Sequence, residues 1–178
     1  MLSTDPIILE TERLRLVQCT VRQLEVGEAD RRTRCLHRRF WPPGNGRIPW
    51  VSRSPRILLA KLTEPSADAD WWAPFLFIRR EDRTTIGIGG FKGPPDSANV
   101  VEFGYGIAPS CRGHGLATEA AAALIQHLFG TGRVTVACAH TLPEPSASTR
   151  VLEKCGFRHV EDVVDPEDGP VWRWERSK

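Results

Sequence analysis

The fold is decided by residues 100–120, which read VVEFGYGIAPSCRGHGLATEA. The first part alternates with period two, and this predicts a β-strand with one face in the core. The predicted core face comprises Val101, Phe103, Tyr105 and Ile107. The other face comprises Val100, Glu102, Gly104 and Gly106. Because this second face is almost bare, it has room for a ligand along the strand, although a bulge or crowded packing is the alternative.

The turn after this strand places an arginine and two glycines, Arg112, Gly113 and Gly115, at the start of a predicted helix. N–H groups at a helix N-terminus lack intrahelical acceptors and bear partial positive charge, so the turn favours an anion, and Thr118 adds a hydroxyl. An ordinary loop-to-helix junction is the alternative. GHGLAT does not match G-x-G-x-x-G and the chain has no G-K-[ST], which disfavours Rossmann and P-loop sites.

The rest of the chain predicts a mixed α/β sheet. RLRLVQ is expected to form the first strand, a T-x-x-Q capping box at Thr20 to begin a helix, and RILLAKL to continue the helical pattern. Three strands, FLFIRR, TIGIGGF and VVEFGYGI, form an antiparallel meander. The following helix is expected to end with Gly130 in a left-handed conformation, and a strand, a short helix and two strands complete the order.

Composition indicates one domain spanning residues 1–178, because 178 residues with 40% hydrophobic content suffice for one core. A net charge of +2 gives no indication of a nucleic-acid or membrane partner. The five cysteines include no C-x-x-C pair, so neither a disulfide framework nor a metal site is expected. We expect a cytoplasmic protein, since the first residues lack the apolar region of a signal peptide.

The motif RGHGLA after a glycine-rich strand, followed by ASTRVLEKCGF, resembles the GNAT superfamily of acyl-CoA-dependent N-acyltransferases. ILETERLRL and EFGYGIAPSCRGHGLATEA are most similar to the branch that contains the RimJ and RimL ribosomal-protein N-terminal acetyltransferases. The resemblance implies an α+β fold whose mixed, mostly antiparallel sheet has six to seven strands flanked by about four helices. It also implies acetyl-CoA as co-substrate and an amine as acceptor.

The resemblance further implies where coenzyme A binds. The pantetheine arm is expected to pair with the end of the glycine-rich strand, at Ile107 and Ala108. The pyrophosphate is expected at the loop and first helical turn, which comprise Arg112, Gly113, His114, Gly115, Leu116, Ala117 and Thr118.

Two catalytic residues follow from the same comparison. An amine attacks a thioester only as the free base, and Glu102 stands where similar enzymes place a proton-accepting glutamate. A surface carboxylate paired with an arginine is the alternative. Many members have a tyrosine as general acid where Leu152 stands, and often an asparagine where Pro145 stands. Ser148 is therefore our candidate for the acid.

The acceptor side is the least determined part of the sequence. Trp41 and Trp50, in the loop WPPGNGRIPW, are candidate substrate contacts or a cover for the core. The run RRTRCLHRRF is a solvated helix face or a site for an acidic group. Trp172 and Trp174 share a strand face and indicate packing or a homodimer surface.

Three functions are consistent with these patterns. The first is an acetyl-CoA-dependent N-acetyltransferase that acts on a protein N-terminus or a small-molecule amine. The second is a catalytically weak or inactive acyl-CoA-binding regulatory module, which the residues at the family tyrosine and asparagine positions motivate. The third is a ribosome- or RNA-associated binding protein.

Overall fold

The computed structural model describes residues 6–19, 68–166 and 168–178. Within these ranges, eight strands form one sheet in the spatial order β1-β2-β3-β4-β5-β6-β8-β7. Their bounds are Ile8–Glu10 (β1), Leu14–Gln18 (β2), Phe75–Arg79 (β3), Thr85–Phe91 (β4), Val100–Ile107 (β5), Val136–Thr141 (β6), Arg158–Asp165 (β7) and Gly169–Ser177 (β8).

The predicted α+β class with a mostly antiparallel sheet is confirmed, since β5 and β6 form the one parallel pair among the described strands. The described residues contain eight strands rather than six to seven. The strand that the sequence did not reveal is β1, whose three residues Ile8–Glu10 are too few to show an alternating pattern. The helices expected after Thr20 and at RILLAKL lie outside the described residues.

Two α-helices lie within the described ranges, α1 at Leu116–Gly130 and α2 at Ala147–Lys154. Leu124 and Leu128 of α1 are fully buried in the core against the sheet. The expected end of this helix was wrong in detail. Gly130 is still helical, and the left-handed residue is Gly132, with φ of 72°, whose N–H donates to Phe129 O.

Helix α2 is defined by capping at both ends. At its start, the Ser146 side chain accepts from the Thr149 N–H, and the Thr149 hydroxyl accepts from the Ser146 N–H, which forms a capping box. At its end, Gly156 adopts φ of 82° and the Phe157 N–H donates to Leu152 O at 3.0 Å. EKCGF is thus a helix ending that buries Phe157 in the core.

Strand β5 has the bounds and facing that its alternation predicted. Val101, Phe103 and Ile107 are buried, and Tyr105 packs against the same core cluster. Gly104 pairs with Gly90 of β4, so these two glycines share the face of Glu102.

The glycines of β4 divide between the two faces. Gly87 and Gly89 pair with Ile107 and Tyr105 and therefore lie on the core face, where a Cβ atom would collide with Phe77. Gly87 and Gly89 therefore do not extend the bare face of β5. They make room for the aromatic side chain of Phe77. Gly90 lies on the face of Glu102 but is buried there, and a Cβ would lie 3.2 Å from Pro74 Cα.

Strands β5 and β6 separate partway along their length. They pair in parallel from Val100 with Val136 to Glu102 with Cys138, and beyond that point β6 continues beside β8 alone. Glu102 is therefore the last residue of β5 in the parallel ladder. The remaining part of β5, Phe103–Ile107, pairs with β4 on one side only. We call its other side, from which β6 turns away, the diverging edge of β5.

Candidate active site

The loop between β5 and α1 exposes its backbone. Pro109–Cys111 forms a short 3-10 helix, and residues 112–115 are all exposed, whereas Leu116 is buried and anchors the first turn of α1. Gly113 and Gly115 have φ of 83° and 76°, a left-handed conformation that residues with a Cβ rarely adopt. The two glycines thus allow the chain to turn sharply into the helix.

The residues present in this loop fit a phosphate group. A Cβ added at Gly113 would meet no atom within 4 Å, so the loop has open space in front of it. The backbone N–H groups of Leu116, Ala117 and Thr118 belong to the first turn of α1, so the helix offers them no carbonyl acceptor. No side chain caps this N-terminus. Such a turn favours a negatively charged group by its dipole and by its N–H groups.

The diverging edge of β5 fits an extended ligand. The Lys92 N–H donates to Glu102 O and the Ala108 N–H donates to Ile86 O, so even-numbered residues of this stretch direct their backbone groups towards β4. By alternation, the backbone N–H and C=O groups of Phe103, Tyr105 and Ile107 point to the opposite side of β5, where β6 no longer pairs with it. The Ile107 carbonyl there accepts from Arg112 Nε at 3.1 Å. Of the two residues expected to pair with the pantetheine arm, Ile107 faces this edge and Ala108 faces β4.

A residue that the sequence did not single out holds the loop in place. The Arg13 guanidinium bonds Glu119 of α1 through Nε and Nη2, both at 2.7 Å, and donates from Nη1 to the His114 carbonyl at 2.9 Å. Thr11 Oγ1 donates to the same carboxylate at 2.6 Å. We call Thr11, Arg13 and Glu119 the loop clasp. It ties the β1–β2 hairpin to the start of α1 across about 100 residues of sequence.

The loop clasp gives a testable effect on coenzyme affinity. We expect Arg13→Met to weaken acetyl-CoA binding about fivefold to thirtyfold, because the loop loses hydrogen bonds to a charged group, each typically worth about 1–2 kcal/mol. Titration calorimetry measures this. Arg15→Met is the matched control, since Arg15 pairs only with the exposed Glu10 carboxylate. Equal affinities of the two variants would exclude a positioning role for Arg13.

Glu102 lies in a cluster of charged side chains on the bare face. Its Oε1 atom is 2.8 Å from His140 Nδ1 and also forms an ion pair with Lys92 Nζ. The exposed fractions of the three side chains are 24% for Glu102, 20% for His140 and 30% for Lys92. We call these three residues the carboxylate cluster. The sequence did not single out His140, which lies two residues beyond Cys138, the β6 partner of Glu102.

His140 and Lys92, the other two members of the carboxylate cluster, determine the protonation state of Glu102. Burial alone raises the pKa of Glu102, but the hydrogen bond from His140 and the charge of Lys92 outweigh it, and the net pKa is lowered. Glu102 is therefore ionised near neutral pH. Because an ionised carboxylate only accepts hydrogen bonds, His140 Nδ1 must be the donor in this pair.

The hydroxyl groups near the diverging edge come from β5 and α2. Ser148, in the first turn of α2, is exposed, and its carbonyl accepts from the Tyr105 hydroxyl at 3.4 Å. Burial raises the pKa of Tyr105, which keeps this phenol protonated. Leu152, at the family tyrosine position, is 1% exposed and belongs to the core. Pro145 is exposed and directly precedes the Ser146 cap of α2.

The remaining residues of interest are structural or lie outside the described ranges. Trp41 and Trp50, the substrate candidates, are outside them, as is the arginine run. Trp174 is buried and donates from Nε1 to Thr141 Oγ1 at 3.0 Å, and Trp172 packs beside it. His127 of α1 stacks on Phe91.

A depression of about 390 Å³ borders the loop on the side of β2 and β3. It is lined by Glu12, Arg13, Arg79, Arg80, Glu81, His114 and Leu116. Its arginines are already engaged: Arg79 pairs with Asp82, Arg80 donates to the Thr11 carbonyl, and Arg13 belongs to the loop clasp. The diverging edge of β5 therefore remains the better candidate site.

An exposed loop at a helix N-terminus beside a diverging strand edge fits a ligand that has an anionic group and an extended arm, as a phosphate-bearing thioester has. In agreement, residues 22–158 match the family model described as an acetyltransferase (GNAT) domain. The chain belongs to the GNAT acetyltransferase family, whose members use acetyl-CoA.

Individual proteins show the same relationship. The sequence is 26% identical over 161 residues to the uncharacterized N-acetyltransferase YjdG of Bacillus subtilis, covering 85% of this chain and 89% of that protein. Mycobacterium smegmatis RimJ in complex with CoA-disulfide shares the fold at a TM-score of 0.65 and 20% identity, over 98% of this chain and 90% of RimJ. A spermidine N-acetyltransferase SpeG chimera of the Vibrio cholerae enzyme and hSSAT aligns at 0.66 and 16% identity, over 93% and 96%.

Two features are absent from the described residues. Neither of their α-helices has the length and apolar character needed to cross a membrane. In the same part of the chain, no group of three or more His, Cys, Asp or Glu side chains is arranged to bind a metal ion.

Proposed function

We propose that the protein transfers the acetyl group of acetyl-CoA directly to a primary amine, either a protein N-terminus or a small-molecule amine. The observation that supports this most strongly is the exposed loop at residues 112–115 next to the diverging edge of β5. These two features accept the two parts of coenzyme A that differ most, the charged pyrophosphate and the extended arm. The fold relationship to RimJ supports a protein N-terminus, and that to SpeG supports a polyamine.

The chain's own residues have separable roles in this reaction. Acetyl-CoA supplies a thioester whose carbonyl carbon is open to attack. Arg112 and the amides of Leu116 and Ala117 hold the coenzyme by its pyrophosphate, with Gly113, His114, Gly115 and Thr118 completing the loop. We assign removal of the amine proton to the carboxylate cluster, and protonation of the departing thiolate to the hydroxyl of Ser148 or Tyr105. Holding both reactants in one site supplies a large part of the rate.

The test is a screen of acceptors with acetyl-CoA and the full-length protein. Peptides beginning with serine or alanine, polyamines and aminoglycosides are incubated with acetyl-CoA, and mass spectrometry measures acetylated amine while calorimetry measures coenzyme binding. We expect binding together with acetylation of one class. Binding without any acetyl transfer would instead support the acyl-CoA-binding regulatory module, and absence of binding would exclude both.

Direct transfer predicts that no cysteine is acetylated on the way. Cys19, Cys138 and Cys155 are buried, and burial raises the pKa of each thiol, to about 12 for Cys19 and Cys138. Cys111 is the most exposed of the described cysteines and stands beside Arg112. We expect Cys111→Ser to retain kcat/KM within about twofold, because the thiol takes no part in nucleophilic catalysis. A loss above tenfold, together with acetylated Cys111 in the wild-type protein by mass spectrometry, would contradict direct transfer.

A further inference from the structure

The hydrogen bond between Glu102 and His140 joins two strands at the point where they separate. Glu102 is the last residue of β5 in the parallel ladder, and His140 lies two residues beyond Cys138 on β6. Their contact is Nδ1 to Oε1 at 2.8 Å. The ring is therefore oriented by a carboxylate through one nitrogen, while Nε2 has no partner in the part of the chain that the structure describes. This is the arrangement in which a carboxylate fixes a histidine tautomer and leaves the second nitrogen basic.

Glu102 itself is poorly suited to accept a proton. Lys92 and His140 converge on its Oε1 atom, so protonation would break an ion pair and a charged hydrogen bond at once. The lowered pKa of Glu102 agrees with this geometry. A general base is most effective when its pKa lies near the working pH, and imidazole meets that condition better than a stabilised carboxylate.

We propose that His140 is the general base of the acetyl transfer, accepting the amine proton at Nε2, and that Glu102 is a positioning residue that holds the ring through Nδ1. This inference rests on the proposed function. It reassigns the role expected for Glu102 and leaves the coenzyme site unchanged.

The proton transfer balances without any further reactant. The lone pair of the neutral amine forms the C–N bond to the thioester carbonyl carbon, and the C–S bond breaks with its electron pair leaving on sulfur. The nitrogen gives its proton to His140 Nε2. A proton then reaches the thiolate, so that amide and free thiol are the products and His140 returns to the neutral form through exchange with solvent.

The charges around His140 are mixed. Glu102 faces it from β5 and Lys92 from the residue after β4, both within the carboxylate cluster. From β8, Arg173 is its direct partner in register and is paired with Glu175 and with Glu161 of β7.

The test measures the pH dependence of kcat at saturating acetyl-CoA, with the best amine from the acceptor screen. His140→Asn keeps a donor in place of Nδ1 and removes Nε2. We expect it to lower kcat at neutral pH by about 100-fold or more, the usual contribution of a general base, and to abolish the rise of kcat with pH. Glu102→Gln should keep that rise of kcat with pH and should lower kcat less than His140→Asn does. An abolished rise in Glu102→Gln and a retained rise in His140→Asn would overturn the proposal.

The controls separate this role from folding and from the proposed function. His159→Asn changes a histidine that lies on β7 against Trp172, and kcat should be unchanged. Should His140→Asn fail to fold, His140→Gln takes its place. NMR of ¹⁵N-labelled enzyme without substrate should show the proton of the His140 ring on Nδ1, with Nε2 as the nitrogen that accepts a further proton. If the enzyme is active and the ring carries its proton on Nε2 instead, the proposal is overturned. A wild-type enzyme that binds acetyl-CoA and acetylates no amine would overturn the proposed function.

Discussion

Gly115→Glu should weaken acetyl-CoA binding by at least about 100-fold, which corresponds to about 2.7 kcal/mol. Gly115 caps α1 with φ of 76°, directly at the turn that is proposed to hold the pyrophosphate. Glutamate adds both bulk and a negative charge where two phosphate charges must approach, and it disfavours the left-handed conformation. Titration calorimetry with acetyl-CoA measures the loss, and circular dichroism verifies that the variant is folded.

Gly169→Glu is the matched control for this substitution. Gly169 has the same φ of 76° and a Cβ there would meet nothing within 4 Å, but it begins β8 in the hairpin with β7, the edge strand on the opposite side of the sheet from β1. Both variants therefore incur the same backbone strain and add the same charge. We expect Gly169→Glu to bind acetyl-CoA normally. If the two variants bound equally well, the loop at residues 112–115 would not be the pyrophosphate site.

Gly87→Ala should destabilise the protein by about 2 kcal/mol or more, in the upper range for insertion of one methyl group into a packed core. A Cβ at Gly87 would collide with the carbonyl oxygen of Gly106, and it would lie 2.8 Å from Ile107 Cδ1 and 2.9 Å from Phe77 Cδ2. The oxygen belongs to backbone and cannot rotate away, so β4 and β5 must move apart. Thermal unfolding should show a fall of several degrees, at about 2–4 °C per kcal/mol for a chain of this size.

Gly130→Ala should change stability in the opposite direction. Gly130 is the last residue of α1, and a Cβ there would meet no atom within 4 Å. Alanine reduces the entropy of the unfolded chain and favours the helix, a gain of about 0.4–1 kcal/mol. The same unfolding experiment measures both variants. Equal stability of Gly87→Ala and the wild type would mean that the close packing of β4 on β5 is not required for the fold.

The parts of this molecule that the sequence predicts well are those set by local chemistry. Strand β5 follows from alternation over residues 100–107, the start of α1 from its glycines, and the end of α2 from Gly156 and Phe157. Each of these depends on side chains within about ten residues of one another. The glycines of β4 are different, because their facing depends on the register with β5 and a shift of one residue would exchange the two faces.

The two groups that the sequence did not reveal both join distant segments. Glu102 and His140 are separated by 38 positions and Arg13 and Glu119 by 106. A signal for the first pair was available: a strand, a helix and a strand in succession commonly form a parallel pair, which places β6 beside β5. No such signal existed for the loop clasp, since the edge position of the β1–β2 hairpin depends on the whole sheet.

The loop clasp makes the shape of the coenzyme loop a property of the assembled sheet. Its Arg13 belongs to the first hairpin of the chain, whereas Glu119 and His114 come from a segment roughly a hundred residues later. Edge hairpins are among the elements that open locally before a protein unfolds as a whole. Fraying of the edge strand β1 and of the turn at Thr11 would release the loop, while Leu14 and Leu16 of β2, both fully buried, stay in the core with Leu124 and Phe103. Coenzyme affinity in this protein is therefore expected to report on the integrity of its outermost strands, and to fall on mild heating before the core melts.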